Sequence, residues 1–268
     1  MKLRIKNEKW PKMGHFPTYI MKVRGPSNIP HLLTQSQNPE HFRLNLTRNF
    51  TSRGIRKITT RTLTQAKTRW WHVYRQGVVT GTLCLRVVNQ AKKNQNNPKL
   101  NKSISKFYTS SFTTEAMLWG LSHENDGIQS VYNLFRKSHS GVQIHRSGLI
   151  IYPNLPILGG SPDALISCEC CHKYHVIEVK APFRLQNGIS NWPILEYMTK
   201  DKTLRKTHSH YAQITLYLGI TGTKIGYFCV WAPDGAIVLE IKFDEEYFLN
   251  IVKSTESYYF KHYLPTFF

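Results

Sequence analysis

Apolar residues recur at helical spacing over residues 63–76, where Trp70, Trp71 and Tyr74 share a face, and over 113–137, a long amphipathic stretch. Between them, 92–102 reads as a polar, proline-containing loop. Alternating, β-rich patterns then predict strands over 142–152, 163–167 and 174–180, a helix over 207–219, and strands over 224–231 and 236–243 joined by an Ala-Pro-Asp-Gly turn. A last helix starts near Asp244 and carries Tyr247, Phe248, Ile251 and Val252. Helix, three strands, helix, two strands, helix is the order of an α/β (α+β) domain with a mixed sheet flanked by helices. Residues 1–60 show no sustained periodicity and are rich in Lys, Arg, Asn and Pro. They read as a basic, poorly ordered extension to a domain spanning 61–268.

Charge narrows the function. Lys and Arg total 36 against 16 acidic residues, a net charge of +20 spread along the chain, which favours a polyanionic partner such as DNA. No apolar run is long enough for a membrane span and the start lacks a secretory pattern, so a soluble, intracellular protein is expected: nuclear in a eukaryote, cytoplasmic otherwise.

Candidate chemistry lies in two neighbouring strands. In 174–180, Val176, Glu178 and Lys180 share one face while Ile177 and Val179 point to the other. A charged pair inside an apolar strand is costly unless it is compensated or used. Asp163 opens the preceding strand and brings a second carboxylate towards Glu178. Two carboxylates and a main-chain carbonyl form a hard oxygen site suited to Mg2+ or Mn2+, with the Lys180 ammonium positioned to hold a water or to balance charge on a phosphate. A surface ion pair at a hairpin is the competing explanation for this pattern taken alone. On the long helix, Met117, Leu121, Ile128, Val131 and Phe135 define an expected inward stripe, and Glu124 falls at their spacing.

Five pieces in order carry a resemblance: 71–82 (WHVYRQGVVTGT), 116–126 (AMLWGLSHEND), 161–164 (SPDA), 178–183 (EVKAPF) and 211–213 (YAQ). With them the chain resembles the YqaJ-type viral recombinase (lambda exonuclease) family of the PD-(D/E)XK nuclease superfamily, over roughly residues 63–260. The resemblance implies a restriction-endonuclease-like fold. It also implies a metal-dependent nuclease in which Asp163, Glu178 and the Val179 carbonyl bind metal, Glu124 assists, and Lys180 handles the attacking water. It further implies that Arg75, Thr82, Ser161 and Gln213 bind the 5′-phosphate of a DNA end. Digestion of double-stranded DNA from a 5′ end, a ring-shaped homo-oligomer and a single-strand annealing partner follow from the same likeness, in viral or mobile-element recombination, repair or replication. Thr82 stands where the family usually has Ser, Ala164 where Gly is common, Ala181 for a frequent Cys, and His210 where a Tyr is found. None removes a metal ligand. An endonuclease or nickase of the same fold, and a non-catalytic DNA-binding module, are the alternatives.

The five cysteines do not form a disulfide framework. Cys168, Cys170, Cys171 and His172 invite a zinc reading, yet Cys84 and Cys229 are distant and unaccompanied. A reduced turn, not structural zinc, is the expectation.

Overall fold

The computed structural model describes residues 27–105, 114–171 and 173–268. Helices α1 (Ile29–Thr34), α2 (Pro39–Asn49) and α3 (Ser52–Arg61) occupy much of the segment expected to be poorly ordered, which corrects that reading for residues 27–60; residues 1–26 lie outside the described residues. Each helix starts on a side-chain cap. Asn28, Asn38 and Thr51 accept hydrogen bonds from the amides of His31, His41 and Gly54, and Pro30 and Pro39 sit in the first turns. Ile29, Leu32, Phe42, Leu46 and Ile58 are buried in the main core. The buried residues are at helical spacing, as in Phe42 and Leu46 or Ile55 and Ile58, but each helix carries too few of them to form a sustained pattern.

The expected 63–76 helix is a 3-10 turn, Gln65–Lys67, followed by α4 (Arg69–Arg75) capped by Thr68. Helix α5 (Gly81–Lys93), which pattern did not reveal, buries Gly81, Cys84, Val87 and Val88. It ends at Asn94 with φ of 48°, and α6 (Pro98–Ser105) begins soon after, so the expected 92–102 loop contracts to residues 94–97.

Helix α7 (Glu115–Phe135) confirms the long amphipathic element, though Thr113 lies outside the described residues. Its inward stripe is shorter than expected. Val131 and Phe135 are buried, whereas Met117 and Leu121 are 45% and 62% exposed. Gly127 lies against Val179, but Gly120 already faces the Ala181 carbonyl, so the earliest turns run past the end of the strand beneath them.

The strands are β1 (Gln143–Arg146), β2 (Ile150–Ile151), β3 (Gly159–Gly160), β4 (Ala164–Ser167), β5 (Tyr174–Lys180), β6 (Ile225–Ala232) and β7 (Gly235–Lys242). The expected 142–152 strand breaks at Gly148, where a Cβ would lie 2.1 Å from the Thr59 carbonyl oxygen at the end of α3. Strands β2 and β3 pair separately. The main sheet has the order β1-β4-β5-β6-β7, with β5 and β6 parallel and the other neighbours antiparallel. The parallel step is crossed by α8 (Ser209–Thr221), and α9 (Glu245–Tyr258) closes the order from its Asp244 cap.

Two cores sandwich the sheet. Ile177 and Val179 on one face of β5 join Val131 and Phe135 of α7, while Val176 on the other joins Ile214 and Leu218 of α8. Glu178 shares the Val176 face. Its side chain is thereby delivered into the interior under α8.

Candidate functional site

Glu178 is 1% exposed, a carboxylate in the middle of a buried strand. One oxygen, Oε1, accepts from Lys180 Nζ and, at 2.7 Å, from Gln213 Nε2 on α8. The other, Oε2, is buried without a partner. Such an orphan is expensive in a folded protein unless something outside the polypeptide satisfies it. Asp163 enters from the turn before β4, and its Oδ2 accepts from the Val179 amide at 2.7 Å. The Gln65 side chain fixes that turn by donating to the Pro162 carbonyl at 2.9 Å and to Ser147 at 3.1 Å. From the opposite layer, α7 contributes Glu124, half-buried and close enough to feel the charges of Asp163, Lys180 and Lys67.

The electrostatics reflect this crowding. Burial, and then the neighbouring Asp163, push the Glu178 carboxyl up to about 8 and the Glu124 carboxyl up to about 7. Burial also raises Asp163, with Lys180 and the Val179 amide working against it. Burial disfavours the Lys180 ammonium, but the surrounding carboxylates outweigh that and raise its pKa. Three carboxyls crowded around the Lys180 ammonium leave net negative charge that a bound cation would compensate. Asp163, Glu178 and Glu124 offer hard oxygen donors of the type Mg2+ and Mn2+ take, and the Val179 carbonyl adjoins them along the chain. The donor set and the partnerless Oε2 therefore fit a divalent ion. All four residues read from the sequence as the reactive centre converge.

The expected phosphate residues divide. Arg75 and Thr82 line one cleft of about 210 Å³, together with Trp71, His72, Thr80 and Arg86. Within it Arg75 lies 3.8 Å above the Trp71 ring and donates to Thr80 Oγ1 at 3.1 Å, while Thr80 and Thr82 hydroxyls are 3.4 Å apart. Ser161 joins through the Trp71 indole, which donates to its hydroxyl at 2.9 Å. Gln213 stands against Gly81, where a Cβ would lie 2.7 Å from its Cγ, but its amide is engaged with Glu178 and, at 3.0 Å, with the buried Tyr217 hydroxyl. Thr80, Arg86 and Tyr217 were not found from sequence. Tyr217 is four residues after Gln213 on the same helix face, a legible signal. Nothing local marks Arg86. His210 packs edge-on against Tyr197 with ring centroids 4.7 Å apart, and burial followed by Lys180 pulls its imidazole down to about 3, so it stays neutral.

The Cys-rich connection also differs from expectation. His172 lies outside the described residues. Cys168, Cys170 and Cys171 instead gather around His139, just after α7.

A mixed sheet carrying Asp163, Glu178 and Lys180 on its central hairpin, with α7 and α8 on opposite faces, defines the restriction-endonuclease-like PD-(D/E)XK class of fold. The chain belongs to the YqaJ-like viral recombinase domain family, whose model matches residues 70–224, more than half of the chain. Among solved structures, the alkaline exonuclease LHK-Exo of Laribacter hongkongensis in complex with dAMP superposes with a TM-score of 0.53 at 19% identity, covering 74% of this chain and 93% of that one. The shutoff and exonuclease protein of Kaposi's sarcoma-associated herpesvirus gives 0.52 at 10% identity, covering 86% and 75%. A SOX–DNA complex gives 0.51 at 11%, covering 85% and 72%. No curated protein matches. Among the described residues, no helix is long and apolar enough to cross a membrane.

Proposed function

We propose that the protein is a Mg2+- or Mn2+-dependent deoxyribonuclease that degrades double-stranded DNA from a 5′ end. The observation that carries this reading is the buried Glu178, one oxygen without a partner, beside Asp163, Glu124 and the Lys180 ammonium. A non-catalytic DNA-binding module has no use for so costly a cluster. Asp163, Glu178 and the Val179 carbonyl would hold the ion, with Glu124 assisting. When bound, the ion supplies Lewis acidity and lowers the pKa of a coordinated water. Lys180 would hold the attacking water or balance the charge gathering on the scissile phosphate. Gln213 and Tyr217 keep Glu178 in one rotamer. The structural likeness to exonucleases and the family membership support the reaction class; the cleft of Arg75, Thr80 and Thr82 supports recognition of a terminal phosphate.

The test is incubation of linear, circular and 5′-dephosphorylated duplexes with and without Mg2+. Linear 5′-phosphorylated DNA should be digested only with metal. Asp163→Ala, Glu178→Ala and Lys180→Ala should each abolish cleavage while duplex binding persists; full activity in any two of them would sink the assignment. The 5′-hydroxyl end should be digested at least about tenfold more slowly, since a charge-assisted hydrogen bond contributes roughly 1.5–3 kcal/mol. Arg75→Ala should equalise the two ends. Efficient cutting of closed circles would instead make the protein an endonuclease.

A further inference from the structure

The structure assigns a second metal site, for zinc, to His139, Cys168, Cys170 and Cys171, separate from the oxygen-lined centre. The four candidate donor atoms all lie within 4.8 Å of one another. His139 Nδ1 is 3.4 Å from Cys168 Sγ, 3.3 Å from Cys170 Sγ and 3.5 Å from Cys171 Sγ. Cys170 Sγ is 3.3 Å from Cys168 Sγ and 3.9 Å from Cys171 Sγ. Tetrahedral zinc, with Zn–S of about 2.3 Å and Zn–N of about 2.0 Å, holds its ligands at S···S of about 3.8 Å and S···N of about 3.5 Å. The three S···N separations and the Cys170–Cys171 separation lie near those values, the Cys168–Cys170 separation of 3.3 Å is shorter, and none of these approaches the about 2.0 Å of a disulfide. Thiols alone are weak hydrogen-bonding partners and give little reason for three sulfurs and a ring nitrogen to converge.

The surroundings hold the donors in place. The His139 ring stacks on Phe135, with centroids 3.9 Å apart and planes 9° from parallel, which turns Nδ1 towards the sulfurs. The Glu169 amide donates to the Ser140 carbonyl at 3.1 Å, tying the Cys-rich connection to the segment that carries His139. Cys168 is buried in the cluster that holds Ile166 and Val131, so an ion on its sulfur would be partly shielded from water. Three thiolates and an imidazole form a complete, closed, soft donor set, which selects zinc over the hard ions suited to the carboxylates. The ion would clip the C-terminal end of α7, the helix bearing Glu124, to the β4–β5 connection, the hairpin bearing Glu178 and Lys180. It has no position open for substrate and serves structure.

The assignment does not rest on the nuclease reading and is tested apart from activity. Protein expressed with zinc supplementation and purified without chelators is analysed for metal, then reconstituted with Co2+ for absorption spectroscopy. One zinc per chain is expected, with the visible bands of tetrahedral Co2+ and a thiolate charge-transfer band. His139→Ala and Cys170→Ser should lose the zinc, whereas His139→Cys, which restores a fourth ligand, and Asp163→Asn, which alters only the carboxylate centre, should keep it. Zinc-free wild type without the cobalt bands would overturn the assignment. So would a disulfide among Cys168, Cys170 and Cys171 in the mass spectrum of the alkylated native protein, or zinc retained by His139→Ala.

Discussion

At the scale of single residues, Glu178 sets the behaviour of the site. Its carboxyl titrates near 8 and that of Glu124 near 7, burial being the main cause, so the metal-free folded protein holds protons that the unfolded chain has released. A group that binds more protons folded than unfolded costs stability as pH rises from the unfolded to the folded pKa. The metal-free protein is therefore expected to lose thermal stability as pH rises from about 4.5 to about 8. A divalent ion must displace the same protons, so its affinity should climb by up to about tenfold per pH unit for each proton released. Thermal shifts with Mg2+ across this range check both trends; a Mg2+-induced shift that is constant with pH would contradict them. Glu178→Gln removes the titration. It should melt no lower than wild type at pH 8 without metal, yet lose activity by on the order of a thousandfold, the effect of deleting a group that supports charge in the transition state. Strand alternation alone made Glu178 and Lys180 legible, and helical spacing made Glu124 legible. Gln213 was read through family likeness as a phosphate donor, and what the chain could not reveal is that its amide reaches Glu178. His139 had no signal at all, because it lies far in sequence from the cysteines it meets.

Elements succeed or fail on close approach. Gly127 is the residue that lets α7 rest on β5: a Cβ there would lie 2.3 Å from a Val179 methyl. Gly127→Val should therefore lift the helix, cost about 1–3 kcal/mol by overpacking, and impair cleavage by displacing Glu124. Reducing the neighbour, in Gly127→Ala/Val179→Ala, should recover stability relative to Gly127→Ala alone. Denaturant unfolding of the set decides; additive losses would mean that the two positions do not share this contact. The strands were legible because alternation and turns agree: β5 spans the residues its pattern predicts, and β6 and β7 meet at the Pro-Asp-Gly turn. The N-terminal helices and α5 were not. The N-terminal helices rest on side-chain caps as well as on burial, whereas α5 has no side-chain cap at its start and is held by burial against distant parts of the chain.

For the whole molecule, the proposed function makes the net charge of +20 the term that would govern encounter with DNA. Duplex affinity should fall steeply with salt, by about a thousandfold between 50 and 200 mM if roughly six phosphates are neutralised. Fluorescence anisotropy on the Glu178→Gln protein, expected to be inactive, measures the slope, and a salt-insensitive affinity would show that the basic surface does not meet the backbone. The parallel pairing of β5 with β6 has a consequence for biosynthesis. The hairpin β4–β5 closes over a few residues, but β6 and the Gln213 clamp arrive only after the long 181–224 crossover has been translated. Contacts so far apart in sequence form late. A nascent chain in which Lys180 has just left the ribosome already holds Asp163, Glu178 and Glu124, yet lacks the helix that covers and steadies Glu178. Under the proposed function, competence to hold a metal would come with α8 and β6, so a ribosome stalled within the crossover would display an acidic hairpin without a working nuclease.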